Sequence, residues 1–65
     1  MYKIINEITG NVSCYDTEIE QGFALDEILD IIDYKYSFLT YKVIHNGDTI
    51  IIREVNNEQR IERWL

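Results

Sequence analysis

The apolar positions of the chain fall into two rhythms. From Phe23 to Tyr36 (FALDEILDIIDYKY), Leu25, Ile28, Leu29 and Ile32 recur at i, i+3, i+4 and i+7, which puts them on one stripe of an α-helix. Elsewhere the apolar runs are short, rich in Ile, Val, Thr and Tyr, and bounded by Gly and Asn, as strands joined by tight turns are.

Two hairpins follow from the second rhythm. YKIINEI and VSCYD flank TGN, and a loop of Thr9, Gly10 and Asn11 places Ile4, Ile8, Val12 and Cys14 on one face. Asn6 falls in the same row, a polar residue among apolar ones. FLTYKVIHNGDTIIIREV is two β-rich runs around Asn46-Gly47, a pair favoured at the centre of a type I′ turn. Setting His45 opposite Asp48 pairs Val43 with Ile50 and Tyr41 with Ile52, with Leu39 and Glu54 further along the same side. Thr40, Ile44, Lys42, Ile51 and Arg53 take the other face.

The helix can start in two places. With Ala24 as the cap, Phe23 and Ile28 form a hydrophobic staple and Glu27 occupies the capping-box position. A start at Thr17, with Glu20 as its box partner, encloses Gly22 and puts Ile19 and Phe23 off the Leu25 stripe. The later start keeps more apolar surface on the core side and is the expected one. In the tail NNEQRIERWL, Ile61, Trp64 and Leu65 share one helical face behind an Asn56 cap, while Asn56-Asn57 could instead turn a further hairpin. A short C-terminal helix is expected, with a strand as the alternative. The element order predicts a single α+β domain over residues 1–65: two β-hairpins forming one sheet packed on one amphipathic helix, for which the β-grasp arrangement is a natural solution.

Composition narrows what such a domain could do. A chain of 65 residues buries only about 60% of its unfolded surface, so most large apolar side chains are needed for the core. A hydrophobic fraction of 46% and five tyrosines argue for a folded chain. Twelve acids against six Lys and Arg give a net charge of −6, a field that repels nucleic acid and anionic membranes. Cys14 is the only cysteine, so no internal disulfide forms and a small buried thiol is expected there. The N-terminal MYKIINEITGN lacks the pattern of a signal peptide, and no uncharged run approaches the length of a membrane span; the expected location is cytoplasmic.

Most chemistry lacks its residues. Cys14 and His45 fall in different hairpins with no third group to orient them, so no catalytic residue is assigned and the protein is expected not to be an enzyme. One His and one Cys cannot make a structural zinc set. DTEIEQGFALDE sets Asp16, Glu18, Glu20 and Glu27 at positions 1, 3, 5 and 12 of a calcium loop, but its glycine, Gly22, comes one place late. Calcium binding is therefore ranked last among the binding readings. Gly10, Gly22 and Gly47 are too scattered for a phosphate loop, and no cofactor is expected.

What remains is the acidic side of the helix. Asp26, Asp30 and Asp33 stand at i, i+4 and i+7 opposite the apolar stripe, with Glu27 beside them. The dipole favours Asp26 and Glu27 near the N-terminus and disfavours Asp33 near the C-terminus. Three aspartates over about 10 Å are sparser than duplex DNA, which carries one charge per about 1.7 Å. Imitation of nucleic acid would need Glu18, Glu20, Glu7 or the tail acids as well. The expected role is a small acidic protein-binding module that occupies a basic surface of a partner protein, with Asp26, Glu27, Asp30, Asp33, Glu18, Glu20 and Trp64 as partner-binding residues. It resembles, in type and not by motif, the compact acidic inhibitors and accessory factors carried by phages and other mobile elements. The alternative is a structural homodimer built on Trp64, Leu65 and an edge strand.

Overall fold

The computed structural model describes residues 1–55, and the expected C-terminal helix or strand, with Trp64, lies outside the described residues. Four strands and one helix follow in the order β1 (Tyr2–Asn6), β2 (Asn11–Tyr15), α1 (Glu18–Lys35), β3 (Tyr41–Asn46) and β4 (Thr49–Glu54). The sheet order is β2-β1-β4-β3, with β1 and β4 parallel at the centre and an antiparallel hairpin on each side. This is the β-grasp arrangement, in which α1 serves as the crossover between the hairpins.

The helix begins at the earlier of its two possible starts. Thr17 has extended backbone (φ −127°, ψ 155°), and its Oγ1 accepts a hydrogen bond from the Glu20 amide at 3.1 Å. A hydroxyl cap satisfies an otherwise orphaned amide, which Ala24 cannot do. The expected staple is absent as a result: Phe23 is 69% exposed and Ile19 72% exposed. Leu25, Ile28, Leu29 and Ile32 do face the sheet, where Ile32 joins Ile4, Ile50 and Ile52 in the buried core. Gln21, one turn into the added segment, is buried, and its Nε2 donates to the carbonyls of Lys3 (2.8 Å) and Asp48 (2.9 Å). One side chain thus ties the first turns of α1 to the start of β1 and to the β3–β4 turn. The early start exchanges two apolar contacts for a cap and this double hydrogen bond.

The first hairpin turns through four residues, not three. Asn6 pairs with Asn11, Ile5 with Val12 and Lys3 with Cys14. Asn6 causes the shift: its Oδ1 accepts from the amides of Ile8 (3.1 Å) and Thr9 (3.3 Å), its carbonyl accepts from Gly10 (2.7 Å), and Gly10 takes φ +84°. A buried Asn that binds its own turn explains the polar residue in the apolar row. The expected face is corrected accordingly: Ile4 is buried, whereas Val12 and Cys14 lie on the opposite side of the sheet, and Cys14 is exposed.

The second hairpin is also shifted. Asn46 pairs with Thr49, Val43 with Ile52 and Tyr41 with Glu54, so the two turn residues are Gly47 and Asp48. Gly47 takes φ +60°, and among the described residues no side-chain-bearing residue has positive φ. That excludes type I′, which needs positive φ at both central positions, and matches the Gly-first pattern of type II′. Each pairing moves by two places, so the faces expected from the sequence are preserved.

Candidate functional site

Starting α1 at Thr17 adds about two turns, whose outward side chains include the apolar Ile19 and Phe23. Ile19, Phe23, Asp26, Asp30 and Tyr34 follow at spacings of three or four, one continuous strip about 22 Å long on the side away from the sheet. Tyr34 is 86% exposed, and Ile31, on the flank of the strip, is 53% exposed. Glu27 and Glu20 stand beside Phe23 on the same flank. Large apolar groups therefore flank the acids, Ile19 and Phe23 before Asp26 and Asp30 and Tyr34 after them, on a surface that the sequence presents as purely acidic. Single exposed apolar residues are ordinary on protein surfaces; a row on one helix face is characteristic of contact sites.

The four central acids are not equivalent. Asp33 accepts a 2.9 Å hydrogen bond from the Tyr41 hydroxyl, which reaches across from β3. That bond, with the negative charge beside it, raises the Tyr41 pKa above the ordinary phenolic value. Asp33 thus has a structural partner that offsets its poor position in the helix dipole. Asp26, Glu27 and Asp30 make no side-chain hydrogen bond or ion pair among the described residues and are available to a partner.

The other expected contributors are dispersed. Glu20 keeps to the flank of the strip, while Glu18 points to the sheet side of α1 and lines an open cleft of about 300 Å³ with Tyr2, Gln21, His45 and Asp48. Glu7 leaves the acidic surface altogether: Arg53 holds it through two bonds, Nε to Oε1 at 2.8 Å and Nη2 to Oε2 at 2.9 Å. The guanidinium keeps the Glu7 carboxyl below the usual carboxylate range. A carboxylate field joining the helix to Glu7 is therefore not assembled. Helical backbone from Glu18 onward occupies positions 3 to 12 of the calcium-loop pattern, so that pattern does not form a loop. Among the described residues no three His, Cys, Asp or Glu side chains gather as a metal site. Cys14 and His45 lie on opposite faces of the sheet, which keeps them apart.

The sequence reading missed Ile19, Phe23 and Tyr34 as surface residues. For Ile19 and Phe23 the signal is their i, i+4 spacing, legible once the helix is begun at Thr17; for Tyr34 it is the i, i+4 spacing from Asp30, which either start contains. Among the described residues no helix is long and apolar enough to cross a membrane. No family model, curated protein or solved structure matches this chain.

Proposed function

We propose that this protein is a small acidic, non-enzymatic binding module of the cytoplasm that occupies a basic surface on a partner protein, with the outer strip of α1 as its contact face. The observation that carries this reading is that exposed Ile19, Phe23 and Tyr34 flank Asp26, Glu27 and Asp30 on one helix face. Acids alone steer a partner and set its charge preference, but they contribute little once solvated. Exposed aromatic and aliphatic anchors among them supply the apolar area that makes a contact persist, and aromatics are enriched at binding hot spots.

A nucleic-acid-binding protein is the natural target, since its groove presents Lys and Arg beside apolar side chains, and occupying that groove inhibits it. This is the mode of action expected of a phage-type inhibitor. With Asp33 engaged by Tyr41 and Glu7 by Arg53, the carboxylates in reach are too few to copy a DNA backbone. Recognition here rests on mixed apolar and acidic contacts.

The test is affinity capture from the source organism's lysate at moderate salt, comparing the wild type with a variant combining Phe23→Gln, Asp26→Asn, Glu27→Gln and Asp30→Asn, with mass spectrometry of what is retained. A basic protein held by the wild type and lost by the variant is the expected outcome. Equal retention of the same protein by both moves the contact away from α1.

A further inference from the structure

The face of the sheet opposite α1 has the reverse character of the helix. Register places Val12, Ile5, Ile51 and Ile44 side by side, one from each strand, in a single row across the whole sheet. Val12 is 61% exposed, and the other three are only partly buried. Lys3 lies in the row on one side of them, Lys42 and Arg53 in the row on the other. Three of the four basic residues between positions 1 and 55 thus rim this one apolar row, in a chain whose net charge is −6. Arg53 is paired with Glu7, whereas Lys3 and Lys42 have no ion pair among the described residues.

An apolar row with a basic rim fits an apolar strip with acidic neighbours, and the chain carries such a strip on α1. We infer that the open sheet face receives the outer strip of α1 from a second copy, Phe23 and Tyr34 lying on the Ile5–Ile51 row and Asp26 and Asp30 facing Lys3 and Lys42. The inference rests on the binding role of the α1 strip proposed above and assigns it a further partner. Because the two surfaces differ, the contact is head-to-tail, and each copy keeps one face open for the next. Four strands about 4.8 Å apart and five residues long at about 3.3 Å give a face of roughly 300 Å². Counted on both partners that is roughly 600 Å², below the about 1,000 Å² of a stable interface, so the association is weak and gives way to a tighter partner of α1.

Sedimentation velocity of the full chain from about 10 µM to about 1 mM, the range in which a weak contact forms, separates the possibilities. The wild type is expected to sediment faster as concentration rises, without levelling at a dimer. Lys42→Glu spoils the sheet face and Phe23→Gln the helix strip; both positions are exposed, so both variants fold. Each alone should stay monomeric, and their equimolar mixture should form a dimer that grows no further, since one intact surface remains on each. A wild type that stays monomeric throughout overturns the inference, as does a plateau at dimer that both variants retain. So do nuclear Overhauser contacts in the monomer between the Ile51 methyls and the Trp64 ring, which would give the face to residues 56–65. Lys42→Glu leaves the α1 strip intact and should capture the basic partner as the wild type does, so failure of self-association is distinguishable from failure of the proposed function.

Discussion

The two hairpins resemble each other in sequence, each with short β-rich strands and one glycine at the turn, yet they differ in how firmly their patterns specify a face. In β3–β4 the register sits two places from the count that centres the turn on Asn46-Gly47, and every side chain keeps its side. In β1–β2 it sits three places from the count that makes Thr9, Gly10 and Asn11 the loop, and all of β2 turns over, carrying Val12 and Cys14 to the open face. The strand period of two makes an even slip harmless and an odd one complete. The second hairpin also has a pattern that resists error, because Ile50 and Ile52 are buried while Ile51 between them is not. In β2 Val12 and Cys14 are both exposed, and Tyr15 at the strand's end packs against the core.

Substitution at the centre of each hairpin separates them most sharply. Ile52 is fully buried between β1 and β3, and Ile52→Ala should cost about 2–5 kcal/mol, enough to unfold much of so small a domain. Val12→Ala, on the exposed edge, should stay within about 0.5 kcal/mol. Urea unfolding followed by circular dichroism measures both, and a large cost at Val12 would return β2 to the core. Next in size is the turn asparagine: Asn6→Ala removes the acceptor for two amides and should cost about 1–3 kcal/mol by the same assay, whereas exposed Asn46→Ala should be nearly silent. Gly47→Ala and Gly10→Ala each force a side chain into positive φ, and each should lower stability by about 1–2 kcal/mol.

The smallest effects distinguish the hairpins by pH. Arg53 lowers the Glu7 pKa, so the link from the first hairpin's turn to β4 stabilises the fold above the ordinary carboxylate range and is lost as pH falls through the lowered value. Asp33 raises the Tyr41 pKa, so the link from β3 to the helix stabilises the fold below about pH 10 and is lost as pH rises through the raised value. Thermal unfolding across pH should therefore show Glu7→Gln flattening the acid limb alone and Tyr41→Phe the alkaline limb alone.

How much of this was legible follows from the same physics. The β-β-α-β-β order, the Leu25 to Ile32 stripe and the faces of the second hairpin stand in plain periodicity. The first hairpin's register was not legible, because it depends on Asn6 hydrogen-bonding to its own turn, an interaction that pattern counting treats as a polar residue out of place. The helix start was weighed by apolar burial and decided by a cap and by Gln21, whose partners Lys3 and Asp48 are remote in sequence. Asp26, Glu27 and Asp30 were recognisable as a surface from their spacing. Of the apolar half of that surface, Ile19 and Phe23 are hidden behind the later start, whereas Tyr34 is on the outer face with either start.

At the centre of that half, Phe23 is a side chain held out for a partner and not one needed for folding. Urea unfolding of Phe23→Gln tests this most directly. A stability within about 0.5 kcal/mol of the wild type is expected, as for an exposed position. A loss of about 3 kcal/mol or more, the cost of removing a buried phenyl ring, would return Phe23 to the core and remove the recognition strip from α1.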